Sequence, residues 1–232
     1  MGAAAETPPW EPTLLPPAAP PPVRQEVVDP ADKEAVAWIC DLLRAGRADL
    51  YGQDEADLGL LPTLARTWMP RGEQWKVPAP GTNRKCSVSA TVDLAEGWLW
   101  WFTHPKRSAV QFGVTLFSCA KRSQARGRLA VLLVDNAPSH QPGKTGILRR
   151  FLTALAGQVV LVFQPKYSPE LQPTERLWLQ WRPNVTHNHT RGHLDDLMDD
   201  SDRWLERMAA APAAVLAALG LPAGRSSVSI AA

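Results

Sequence analysis

Leu129–Val134 and Val159–Phe163 are apolar without interruption and rich in branched residues. Runs of this length, bounded by polar or turn residues, read as strands buried on both faces of a sheet. Between them Gly146–Leu155 reads as a helix that closes at Gly157, and strand, helix, strand predicts a right-handed parallel crossover and an α/β fold. Upstream, Val36, Ile39, Leu42 and Leu43 recur at helical spacing behind Asp29-Pro30, predicting a helix over 30–45 that stops before Gly46. Ala48–Gln53 reads as a strand ending at an acidic cluster. Lys85–Val92 and Trp98–Thr103 read as two more, with Ala95-Glu96-Gly97 as their turn, and 108–122 is apolar at helical intervals. Downstream, Pro173–Trp181 predicts a short helix opened by proline, and Leu194–Leu219 further helix interrupted at Pro212.

Composition narrows the class. Residues 1–28 are dominated by Ala and Pro, which leaves little backbone able to join helix or sheet, so a disordered arm is expected there. The net charge of +2 neither requires nor excludes a nucleic-acid partner. No apolar run approaches the roughly 20 residues of a membrane-spanning helix, Leu129–Val134 being six, and the chain lacks the charged start and apolar core of a secretory signal. A cytoplasmic protein without a membrane partner is expected. Cys40, Cys86 and Cys119 are widely separated and read as inert thiols.

In open α/β sheets functional groups lie beyond the carboxyl ends of strands, where Asp54 and Asp135 are predicted to sit. Glu175 falls on the short helix after the last strand and can complete a cage of three carboxylates. Hard oxygen ligands without thiolates suit Mg²⁺ or Mn²⁺, and two such ions clamp the oxygens of a phosphodiester during in-line displacement. Singly, an acid after a strand is more often a cap or a surface charge, and Glu55 and Glu170 stand as rivals. Asp54-Glu55-Ala56-Asp57 spells a helicase motif and Gly143-Lys144-Thr145 the end of a phosphate loop, but Pro138 stands where that loop needs glycine. His187, His189 and His193 lack the spacing of a helical zinc pair. Arg122, Arg126, Arg128, Arg149, Arg150 and Lys166 are candidates for a phosphate-binding surface, with ordinary solvated charges as the plainer reading. Trp98, Trp100 and Trp101 are candidates for base stacking, with core packing as the plainer reading.

The wording around the acids is more specific: Gln53-Asp54-Glu55, Trp68-Met69-Pro70-Arg71-Gly72, Val134-Asp135-Asn136-Ala137-Pro138-Ser139-His140, and Tyr167-Ser168-Pro169-Glu170-Leu171-Gln172-Pro173-Thr174-Glu175-Arg176-Leu177-Trp178. These blocks resemble the DDE domain of mariner-type transposases, in the bacterial insertion-sequence branch numbered six-thirty, over roughly residues 46–205. The resemblance implies a ribonuclease-H-like mixed sheet with flanking helices. It also implies a metal-binding catalytic triad at Asp54, Asp135 and Glu175, with Asn136 and His140 supporting the second aspartate. The implied chemistry is DNA cleavage and strand transfer on double-stranded DNA, at transposon ends and at the target, and a homodimer is compatible with it. Two positions depart from the family's usual pattern: Gln172 stands where Asn is usual and Lys166 where Pro is common.

On this reading the chain divides into an arm (1–28), a linker helix (29–46), a DDE catalytic domain (47–210) and a C-terminal tail (211–232). Relatives carry helix-turn-helix segments before the catalytic domain, so the sequence reads as a truncated copy or as the product of a split gene with a separately encoded helix-turn-helix partner. Two rival readings accompany it: an inactive DNA-binding remnant, and a nuclease of the same fold that does not transpose.

Overall fold

The structure, a computed structural model, describes residues 27–29, 31–144, 146–165 and 172–222. Six strands form one mixed sheet: β1 (Val27–Val28), β2 (Ala48–Gly59), β3 (Lys85–Asp93), β4 (Leu99–His104), β5 (Leu129–Val134) and β6 (Val159–Phe163). Their spatial order is β1-β6-β5-β2-β3-β4. β1, β6, β5 and β2 run parallel, and β3 and β4 add an antiparallel meander. The helices are α1 (Lys33–Arg44), α2 (Ala109–Gln124), α3 (Gly146–Ala154), α4 (Glu175–Val185), α5 (Leu194–Ala209) and α6 (Pro212–Leu219).

Alternation along the strands divides the core into two layers. Leu50, Val131 and Val160 face one layer with Ile39 of α1, Trp181 of α4, Leu205 of α5 and Val215 of α6. Tyr51, Leu132 and Leu161 face the other, against Phe112 and Leu116 of α2 and Leu148 and Leu152 of α3. Gly113 of α2 lies against the Phe151 ring of α3, a closeness that no larger residue would allow.

Several expectations need correction. β2 does not end at Gln53 but continues to Gly59, because β3 pairs with it from Tyr51↔Asp93 to Gly59↔Lys85. Asp54 therefore lies within a strand. The arm expected over 1–28 lies outside the described residues as far as position 26, and its last two residues form β1 beside β6. Asp32, not Asp29, caps α1, its carboxylate accepting the Ala35 N–H at 3.1 Å, and α1 packs its apolar face on the sheet instead of acting as a linker. α4 starts at Glu175, so Pro173 precedes the helix, and Pro183 lies inside it. Residues 212–219, expected as helix beyond Pro212 but assigned to the tail, form α6, which packs into the core through Val215, Leu216 and Leu219. Among the described residues no helix is long and apolar enough to cross a membrane.

Candidate active site

Three separate elements bring the predicted acids toward one edge of the parallel sheet. Asp54 projects from β2 toward the α4 layer, and Glu55, next in the strand, projects to the opposite face as alternation requires. There Glu55 Oε2 lies 3.1 Å from Arg107 Nε. The indole of Trp178, buried on α4, donates its Nε1–H to Asp54 Oδ2 at 3.0 Å. Trp178 is held in turn by an edge contact with Trp181, 5.5 Å between rings, and Trp181 donates to Ser201 Oγ of α5 at 3.0 Å. Sequence reasoning misses Trp178 as a site residue. Its signal is its spacing, one turn beyond Glu175 on the buried side of the helix.

Asp135 follows β5 directly, as predicted. Its Oδ1 accepts the Ala137 N–H at 3.0 Å and lies 2.6 Å from His140 Nδ1. A single 3₁₀ turn, Pro138–His140, brings the histidine back over the aspartate. The His140 ring is 1% exposed and packs 4.2 Å from the Phe112 ring. Asn136, next to Asp135, donates its Nδ2–H to the Gln164 carbonyl at 2.7 Å and ties the β5 loop to the end of β6.

Glu175 is the first, exposed residue of α4. The turn before it is pinned to β2. Gln172 donates its Nε2–H to the Gln53 carbonyl at 2.8 Å, and buried Thr174 presses on Gly52, where a Cβ would stand 2.6 Å from Thr174 Oγ1. Gly52 is thus needed for a close approach. The departure from the family at Gln172 leaves a side chain long enough to reach the β2 backbone. Glu170 and Lys166 lie outside the described residues, as does Thr145 of the Gly-Lys-Thr motif.

The electrostatics agree with a shared site. Burial pushes the Asp54 carboxyl up, the charges of Asp135 and Glu175 add to that push, and the Glu55 and Trp178 N–H groups oppose it, leaving the acid at about 6. Burial also acts upward on Asp135, but the hydrogen bond and charge of His140, the Ala137 N–H and the charge of Arg107 outweigh it and hold the acid below the usual carboxylate range. Burial raises Glu55 against the charges of His140, Arg107 and His104. Among the described residues no three His, Cys, Asp or Glu side chains are gathered tightly enough to hold a metal ion. The donor set nevertheless fits a hard divalent cation: three carboxylates, one of them made hard to ionise by burial and by its neighbours' charge.

Most of the other candidates are absorbed by the fold, whereas Arg149 and Arg150 of α3 stay exposed. Arg126 binds Asp49 at 2.7 Å and Asp93 at 3.3 Å, Arg128 binds Asp49 at 2.9 Å, and Arg122 binds Glu96 at 2.7 Å, so these guanidiniums hold the end of α2 to the sheet. Trp98 and Trp100 stack on each other at 6.2 Å, and Trp101 donates to Asp202 at 3.1 Å. His187 bridges to Thr63, and burial lowers His189.

Residues 49–198 match the family model described as DDE superfamily endonuclease. The chain is 26% identical over 186 residues to the insertion element IS630 uncharacterized 39 kDa protein of Shigella sonnei, an alignment covering 79% of this chain and 53% of that protein. It therefore spans about half the length of the curated relative it matches. The fold is similar to that of the Mos1 transposase paired-end complex with left transposon end, at 16% identity and a TM-score of 0.52, covering 95% of this chain and 68% of that one. It is also similar to the Mos1 strand transfer complex, at 18% identity and a TM-score of 0.51, covering 95% and 63%. The mixed six-stranded sheet with helices on both faces is the ribonuclease-H-like arrangement that the resemblance implied.

Proposed function

The chain belongs to the DDE superfamily of endonucleases, and from that premise we propose that Asp54, Asp135 and Glu175 form the catalytic triad of a transposase domain that cuts and joins DNA strands. The observation that carries this reading is the Asp54 carboxyl, raised to about 6 by burial together with the charges of Asp135 and Glu175. Acids from β2, the β5 loop and α4 act on one another there, although the first and last are separated by more than a hundred residues of chain.

The three carboxylates would hold Mg²⁺ or Mn²⁺, two ions in all, and the bound metal supplies charge neutralisation at the phosphodiester and a more acidic nucleophile. The protein's own part is positioning. Trp178 fixes one oxygen of Asp54. His140 and the Ala137 amide hold Asp135 Oδ1. Gln172 and Thr174 fasten the start of α4, and with it Glu175, to the strand that carries Asp54. In the cleavage step a water oxygen bonds to phosphorus, the bond from phosphorus to the 3′ oxygen breaks, and that oxygen leaves as a hydroxyl. In strand transfer the freed 3′ hydroxyl attacks a phosphodiester of target DNA in the same way. The DNA partner is double-stranded, at element ends and at the target.

The test is Mn²⁺-dependent nicking of DNA carrying the element's ends, with Asp135→Asn and Glu175→Gln in the full chain. Each variant should lose at least about a hundredfold in rate while keeping its circular dichroism spectrum, because each removes a ligand charge. Nicking retained in either folded variant removes that residue from the triad.

A further inference from the structure

Arginines stand at both ends of α2, and the two ends use them differently. Arg122, Arg126 and Arg128 at its carboxyl end are drawn against Asp49, Asp93 and Glu96. Arg107 precedes the other end, where Phe112, in the first turn of the helix, packs 4.2 Å from the ring of His140 and so beside Asp135. The Arg107 side chain starts from the connection after β4 and ends on acids of β2, although β3 lies between those strands. It can cross because β3 carries Ser89 and Ser87 opposite Glu55 and Asp57, and neither serine is large enough to block a guanidinium.

Two carboxylates of β2 hold the guanidinium. Nε pairs with Glu55 Oε2 at 3.1 Å, and Nη2 donates to Asp57 Oδ1 at 3.1 Å. Asp57 does not need this partner, since it already takes Lys85 Nζ and Ser87 Oγ, each at 3.3 Å. Glu55 is the costlier one. Its side chain is only 6% exposed, and burial raises its carboxyl in spite of the charges of His140, Arg107 and His104. A buried acid set against a partly solvated arginine does little for stability, and perturbed acids of this kind gather at functional sites. The guanidinium fork has five N–H donors, more than these two pairings use. It remains 41% exposed, at a place where its charge reaches Asp135. Glu175 and Trp178 approach the acids from the α4 face of the sheet, Arg107 from the α2 face.

We infer that Arg107 binds a phosphate of the DNA strand held at the acids, and that Glu55 and Asp57 aim it there. The planar fork offers a phosphate two parallel N–H donors, which an ammonium cannot match. Carboxylates repel a nucleic-acid backbone, so a cation fixed beside them supplies attraction where the strand would otherwise be turned away. A contact of this kind carries no sequence information and sets the position of the strand instead. Arg107 is thus a binding residue for the strand, and Glu55 a positioning residue that acts through it.

This inference rests on the chain acting on DNA, and binding measured in EDTA separates it from cleavage. Fluorescence anisotropy of a labelled duplex would be recorded with the full chain over a range of salt. In Arg107→Gln the slope of log affinity against log salt should fall in magnitude by about 0.9, for one phosphate no longer neutralised, whereas Arg107→Lys should keep the slope. Arg107→Gln also strands a buried carboxylate, so the comparison is repeated on a Glu55→Gln background. There the wild-type slope should persist while Arg107 is present and fall by about 0.9 when it is replaced. In Mn²⁺-dependent nicking, Arg107→Gln should need about tenfold more DNA for half its maximal rate, at an unchanged Mn²⁺ requirement. A slope unchanged on both backgrounds overturns the proposal and leaves Arg107 a clamp between β2 and α2. So does wild-type binding that ignores salt, a slope lowered equally by lysine, or a nicking defect that extra Mn²⁺ restores. A wild type that binds with the expected slopes but nicks nothing overturns the triad and leaves this inference standing.

Discussion

Replacing Asp54 by Asn should make the metal-free protein more stable at neutral pH. The folded chain raises this carboxyl from its ordinary value of 3.8 to about 6. Between those values the folded protein retains a proton that the unfolded chain has released, so stability falls as pH rises through that window and stays at its lower level above 6. Two pH units at about 1.4 kcal/mol each set an upper limit of about 3 kcal/mol, and residual solvent contact brings the expected gain to about 1–2 kcal/mol. Asn keeps the size of the side chain and an oxygen to accept the Trp178 Nε1–H while removing the charge. The assay is urea unfolding of both proteins in EDTA from pH 4 to pH 8. The variant should be the more stable above pH 6, and the gap should narrow toward pH 4, where the wild-type acid is protonated in the folded state and close to half so in the unfolded one. Millimolar Mg²⁺ should then raise the stability of the wild type more than that of the variant. A variant no more stable than wild type at pH 7.5, or a gap that ignores pH, would refute the view that Asp54 is held ionised against its surroundings for the sake of a cation.

Two further outcomes follow from the same geometry. Gly52→Ala places a methyl 2.6 Å from Thr174 Oγ1, which should cost about 1–3 kcal/mol in urea unfolding and shift the start of α4; a variant with wild-type stability and nicking would mean that Glu175 does not depend on this approach. Trp178→Phe keeps the ring packing but withdraws a donor from the Asp54 carboxylate, so the acid rises further and the acid limb of Mn²⁺-dependent nicking should move up by about 1 pH unit. An acid limb that stays in place would show that this bond does not govern the aspartate.

Much of the parallel half is legible because its strands announce themselves. Leu129–Val134 and Val159–Phe163 are apolar on both faces, and the structure gives them those bounds. β2 reads too short because Asp54, Glu55, Asp57 and Gly59 have poor strand propensity, and only its partner β3, pairing through all of them, keeps the chain extended. α6 reads as helix beyond Pro212 but not as part of the domain, because its pattern is apolar nearly all round and shows no one face to pack; the burial of Val215 and Leu219 depends on α4 and α5 covering it. At the site, position after a strand suggests Asp54 and Asp135, and only the family resemblance singles out Glu175. No local signal gives the Trp178 bond to Asp54 or the Gln172 bond to Gln53, since each joins positions more than a hundred residues apart. The basic candidates divide for a related reason. Sequence shows which residues carry charge, but the fold decides which are paired: Arg122, Arg126 and Arg128 meet carboxylates, while Arg149 and Arg150 stay exposed.

β5 stops pairing with β2 at Gly52↔Leu133, and from Gln53 onward β2 pairs with β3 alone. A strand flank left open in mid-sheet offers its amide and carbonyl groups to any extended segment that meets it, and such flanks seed aggregation. Here the Gln172 amide takes the Gln53 carbonyl and Thr174 closes over Gly52. The turn that delivers Glu175 is therefore also a plug in the sheet. Weakening it would open that flank of β2 as well as loosen the start of α4.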